Sequence, residues 1–118
     1  MILGQIIQLD LEATDLYVDS GKFLHIGVKN NSTQSGNISF GVSCTGTFSV
    51  TKGGSTTNIS YSASSLTYPF NANQERWTNT NIKLDQGVGY YNLTCTISMI
   101  LDTNLSNNSV TRTVGITP

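Results

Sequence analysis

Gly89-Tyr90-Tyr91-Asn92-Leu93-Thr94-Cys95-Thr96-Ile97-Ser98-Met99-Ile100-Leu101 is the stretch that decides the fold. Tyr91, Leu93, Cys95, Ile97, Met99 and Leu101 keep strict two-residue spacing over six positions, with Asn92, Thr94, Thr96 and Ser98 between them. Successive side chains of a strand point to opposite faces, so this run is a strand with one apolar and one polar face. Working backwards, Ile82 and Leu84 alternate with Asn81 and Lys83 in Trp77 to Leu84. A run around Leu66 and Tyr68 meets Pro69, which ends a strand or confines it to an edge, and another short run holds Ile59 and Tyr61. Ile38 to Val50 keeps Phe40, Val42, Cys44, Phe48 and Val50 in phase, and Leu24, Ile26 and Val28 follow Ser20-Gly21. Ile7, Leu9 and Leu11 form the first run, and Val110, Val114 and Ile116 the last.

Seven or eight strands with turn residues between them, and no apolar helical period held for three turns, predict an all-β, immunoglobulin-like antiparallel sandwich. An eight-stranded barrel is the competing architecture. Two details favour the sandwich. Asp85 to Tyr91 falls at the corner before the sixth strand, where a Tyr often bonds back to the backbone upstream. Leu101 to Asn108 then reads as a polar hairpin between the last two strands. The core is expected at Leu24, Ile26, Phe40, Val42, Leu84, Leu93, Ile97 and Val114. Trp77 lies too late in the chain for antibody-type packing.

The chain has 118 residues, enough for one domain and one core. Only 11% are charged, less than half the roughly 25% of ordinary domains, and 14 Ser, 16 Thr and 12 Asn supply the solubility instead. Six basic against seven acidic residues leave no surplus for phosphate, so nucleic acid is not expected as a partner. No apolar run is long enough to span a bilayer. The chain reads as a soluble piece whose only tie to a membrane would be an anchor upstream of Met1. On protonation of its few carboxylates the net charge moves only from −1 to about +7, which suits an acid-tolerant surface.

Catalysis is not expected. One His and two Cys cannot build a structural zinc site, no cofactor motif is present, and His25 falls on the outward phase of its strand without a nucleophile or orienting acid. Asp19, Asp85 and Asp102 sit in turns, where Asp caps its own backbone. Cys44 and Cys95 share the inward phase of the third and sixth strands, which are neighbours in one sheet of this fold. A disulfide there would close a loop of about 50 residues. The alternative is two buried thiols packing as small hydrophobes. Asn30, Asn31, Asn37, Asn58, Asn92, Asn104 and Asn107 each stand in an Asn-x-Ser/Thr glycosylation context, seven sites where composition alone gives about three. Ile100 is the one large apolar side chain on the outward phase of the sixth strand, and is the expected centre of an interface between two copies.

The segment Gly89 to Ile97, followed by Asp102 and by Asn107-Asn108-Ser109-Val110, resembles the last hairpin of prokaryotic cell-surface immunoglobulin-like modules of the CARDB adhesion type. Phe23 to Asn31 resembles their second strand. Leu105-Ser106 stands where those modules carry a Glu. Within that group the Ser/Thr/Asn-rich, sequon-rich chain is similar to the soluble part of archaellum stator proteins of the FlaF or FlaG type. The resemblance implies a non-catalytic domain between the cell membrane and the S-layer, behind an N-terminal membrane helix. Its implied partners are the S-layer protein, a sister stator subunit and a second copy of itself in a homodimer. The alternative reading is an archaeal pilin head, or a surface adhesion or carbohydrate-binding module.

Overall fold

The computed structural model describes residues 9–99 and 105–118. Seven strands follow one another: β1 (Leu11–Val18), β2 (Phe23–Asn30), β3 (Gly36–Ser49), β4 (Thr57–Phe70), β5 (Glu75–Lys83), β6 (Gly89–Ser98) and β7 (Ser109–Ile116), with one 3-10 turn at Leu105–Asn107 before β7. They form two antiparallel sheets, a three-stranded one in the order β1-β2-β5 and a four-stranded one in the order β4-β3-β6-β7. The expected sandwich is therefore the architecture, and among the described residues the two sheets do not close into a barrel. All eight residues expected in the core are buried between the sheets.

The strand ends depart from the alternation in the sequence at three places. Around β4 the sequence suggests two short runs, yet Thr57–Phe70 is one strand. A bulge between the Val42–Ala63 and Phe40–Leu66 pairs, with Ser65 at φ 59°, inserts an extra residue. It switches the inward phase from Ile59, Tyr61 and Ala63 to Leu66, Tyr68 and Phe70. One strand with a phase break looks like two. Pro69 is placed on an edge strand, as its missing N–H requires.

The second departure is β1, which runs on to Val18 through a bulge at Thr14, so that Leu16 is buried in the phase opposite to that of Leu11 and Ala13. The third is Val50. It continues the phase of β3, but the strand stops at Ser49, and Val50 is 70% exposed in the turn.

Two features stiffen the sandwich. Tyr91, fully buried, donates its hydroxyl to Gly87 O and accepts the Gln86 N–H, both at 2.9 Å, which ties the corner between β5 and β6 to the core. In the other sheet, buried Thr78 and Thr80 of β5 donate their hydroxyls to Ile26 O and Leu24 O of β2. Both hydroxyls are thereby satisfied without water.

Candidate binding surfaces

Cys44 and Cys95 face each other on β3 and β6, within one sheet, and a disulfide joins them across 51 residues of sequence. Their Cα atoms are 4.0 Å apart, the close spacing of a non-hydrogen-bonded antiparallel pair. The backbone groups of Cys44 therefore turn to β4, where its partner is Tyr61. By the same alternation Thr57, Ile59, Tyr61 and Ala63 are bonded to β3. Asn58, Ser60 and Ser62 turn their N–H and C=O to the outer edge, where no described strand pairs with β4.

The polar face of the four-stranded sheet is built in rows by the register. Asn58, Thr47, Asn92 and Thr113 form one row. Ser60, Thr45, Thr94 and Thr111 form the next, and Ser62, Ser43, Thr96 and Ser109 the third. None of these side chains is charged. Hydroxyls pair along the rows at 2.7 Å between Thr94 and Thr111 and between Thr96 and Ser109.

The glycosylation positions separate by burial. Asn37, Asn58 and Asn92 are exposed, with side chains open to solvent. Asn31 and Asn107 are half-buried, their amides donating to Glu12 Oε1 and Asp10 Oδ1, both at 3.0 Å. Asn30 corrects the expectation. It is fully buried, its amide nitrogen donates to Gln34 O and Asn71 O, and its oxygen accepts from Ser32 N and Oγ. A glycan on that nitrogen would break both donor bonds and has no room, so Asn30 is a loop-closing residue and not an attachment site. Asn104, Ile100 and Asp102 lie outside the described residues.

The first and last strands, β1 and β7, each stand at the edge of their sheet. β1 and β7 lie side by side, with Arg112 Nε donating to Asp15 Oδ1 at 3.0 Å and Arg112 also reaching Thr14 O. β4 is the outer strand of the four-stranded sheet and carries no charged residue, whereas β5, the outer strand of the other sheet, carries Glu75, Arg76 and Lys83.

The outer face of the three-stranded sheet differs from the hydroxyl face. The register sets Tyr17, His25 and Asn79 in one row, and Asp15, Gly27 and Trp77 in the next. Tyr17 is 39% and Trp77 44% exposed, Tyr17 stacks on His25 with centroids 4.5 Å apart, and Trp77 meets Tyr17 edge-on at 4.6 Å. His25 is outward-facing as expected but only part-exposed. Its Nε2 is 2.8 Å from Asp19 Oδ2, and that hydrogen bond, aided by the Phe23 N–H, holds the Asp19 carboxyl below the usual carboxylate range. The bulge at Thr14 hides the phase of Tyr17 in the sequence, so its place beside Trp77 shows only in the fold. Tyr61 and Tyr68 are spent elsewhere. Tyr61 donates to Asp85 Oδ1 at 2.8 Å, and burial together with that bond pushes its hydroxyl up to about 12. Tyr68 donates to Asn79 O and packs under the Arg76 guanidinium. Among the described residues no cluster of three His, Cys, Asp or Glu could hold a metal ion.

The two sheets, the crossed connections and the tyrosine corner define the class as an immunoglobulin-like β-sandwich domain. Among solved structures the chain is similar to an NMR structure of the 272–376 domain of a "putative cell surface protein" from Methanosarcina acetivorans, with a TM-score of 0.54 and 20% identity over 92% of each chain. At that identity the likeness is one of fold. No protein-family model and no curated protein matches the chain.

Proposed function

We propose that this chain is a non-catalytic structural and binding domain displayed at the cell surface, and more narrowly the outer domain of a membrane-anchored archaellum stator subunit. It would stand between the cell membrane and the S-layer, pair with a second copy, and grip the S-layer protein or a sister stator subunit. The observation that carries the reading is the uncharged outer face of the four-stranded sheet, three rows of Ser, Thr and Asn across four strands. Such a face holds no long-range field to be screened by salt and no group that titrates near neutrality. Contact with an immobile lattice would then survive changes of salt and pH outside the cell. The internal disulfide agrees with an oxidising compartment, and the fold shared with a domain described as a "putative cell surface protein" agrees with display at the cell surface.

A stator transmits no chemistry and has to stay rigid under load. The corner at Tyr91, the Cys44–Cys95 link and the threonine bonds between β2 and β5 supply stiffness in both sheets. Pairing between copies would use the free edge of β4, since an uncharged strand with unpaired backbone groups is a template for another strand. Asn58 and Asn92 lie on the proposed contact face, so the contact requires them to be unmodified there. The cellular test is deletion of the gene. Assembled archaella on cells that no longer swim support the stator reading, and unchanged swimming removes it.

A further inference from the structure

We propose that the outer face of the three-stranded sheet is a saccharide site, in which the exposed ring of Trp77, with Tyr17 beside it, receives the apolar face of a neutral pyranose. The proposal goes beyond the surface role above and stands whether or not the domain belongs to a stator. The hollow in this face has a volume of about 280 Å³, and Thr14, Asp15, Gly27, Glu75, Arg76 and Trp77 line it. Gly27 is its floor. A Cβ there would lie 2.4 Å from Thr14 Oγ1 and 3.4 Å from Trp77 Cζ3, so only glycine leaves the space for the indole and the hydroxyl to meet over the strand.

Thr14 is the extra residue of the β1 bulge, a device that re-aims side chains next to binding sites. Its Oγ1 is buried and has no hydrogen-bond partner among the described residues. An unpaired buried hydroxyl is destabilising, and rotation of the Thr14 side chain toward the hollow would let a ligand hydroxyl pair with it. The rings are fixed in advance. Tyr17 is stacked on His25, and His25 is held by Asp19, whose other oxygen accepts the Gly21 and Phe23 N–H groups. Aromatic groups that need no reordering on binding keep more of their contact energy.

Charge selects among ligands that like aromatic rings. Asp15 is paired with Arg112 at 3.0 Å, and Lys29 lies between Glu12 and Glu75 in the register. With cationic partners already beside the carboxylates, the hollow is not a cage for a quaternary ammonium ion. It offers a flat ring together with acceptors and donors at its rim. That matches a neutral sugar, which has an apolar C–H face and hydroxyls around its edge.

Trp77 is the one tryptophan of the chain, so intrinsic fluorescence reads this site alone. The folded protein is titrated with methyl glycosides of glucose, galactose and mannose and with N-acetylglucosamine, and separately with tetramethylammonium. The expected result is a saturable change with at least one sugar, with a Kd in the millimolar range. Calorimetry should then show binding at least about tenfold weaker for Tyr17→Ala and for Trp77→Ala, the latter lacking the fluorophore. Thr14→Val, which keeps both rings and nearly the same volume, should also weaken it, and it covers the case of a ring variant that does not fold. No saturable response to any of the sugars at about 100 mM overturns the proposal. So does a response to tetramethylammonium alone, or unchanged sugar affinity in a folded Trp77→Ala or in Thr14→Val.

Discussion

At the scale of single residues, Tyr91 shows how much one side chain can hold. Its ring packs against Phe48 with centroids 4.8 Å apart, and its hydroxyl closes the corner through Gln86 and Gly87. Tyr91→Phe keeps the ring and leaves the Gln86 N–H and the Gly87 C=O of this part-buried corner without their partner, so urea unfolding should show a loss of about 1 kcal/mol. The corner was legible because a Tyr two residues into an alternating run, after Asp85-Gln86-Gly87, has few other reasons to be there. Asn30 was not legible. Asn30-Asn31-Ser32 has the form of a glycosylation signal, and only the fold reveals that the Asn30 amide closes the loop to Gln34 and Asn71. Two carboxyls should set the acid response. The His25 bond lowers Asp19 and the Tyr61 hydroxyl lowers Asp85, each below the ordinary carboxylate range. Groups depressed in the folded state stabilise it above their unfolded pKa and lose that contribution as pH falls through the folded value. Thermal melting temperature should therefore be flat from pH 7 to about 5 and fall only below about 4, and the fall should be smaller in Asp85→Asn. A steep loss between pH 7 and 5 would contradict this.

At the scale of elements, alternation reveals a strand wherever the strand is regular. β6 keeps Tyr91, Leu93, Cys95 and Ile97 buried in unbroken phase, and it was the plainest strand in the sequence. Bulges are what alternation cannot show. At Thr14 and at Ser64-Ser65 one inserted residue reverses the inward face, which hid the second half of β1 and divided β4. Tyr17 was lost with it, and so was the pairing of two rings on one face. The disulfide between β3 and β6 closes a 51-residue span, and in the loop-entropy account such a closure contributes about 4 kcal/mol. Peptide mass mapping of protein from an oxidising compartment should find Cys44 linked to Cys95, and reduction should lower the unfolding free energy extrapolated from urea titration by an amount of that order. Two alkylatable thiols in unreduced protein would refute the link. β4 makes a separate prediction. Ser60 directs its N–H away from β3, so Ser60→Pro removes a donor only from the open edge. Sedimentation velocity should show wild type dimerising at high micromolar concentration and Ser60→Pro remaining monomeric with unchanged circular dichroism. A wild type that stays monomeric removes the pairing, and a variant that still dimerises moves it away from β4.

At the scale of the whole molecule, the two outer faces differ in chemistry. The four-stranded sheet presents an uncharged hydroxyl lattice, and the three-stranded sheet presents rings, carboxylates and a glycine floor. The low charge of the sequence already indicated a surface solvated by Ser, Thr and Asn, and strand register then arranges those residues in rows. Which partner meets that face was not legible, because hydroxyl side chains carry no signature that selects one surface over another. On the proposed function the domain grips an immobile surface lattice through this uncharged face, and co-sedimentation of the purified protein with isolated S-layer sheets from its own cell, at low and at high salt, tests that grip. Binding should be saturable and persist as salt is raised, and it should be lost when Thr45 and Thr94, at the centre of the face, are both replaced by Lys. Protein that stays in the supernatant at every salt concentration, or that binds only at low salt, contradicts it.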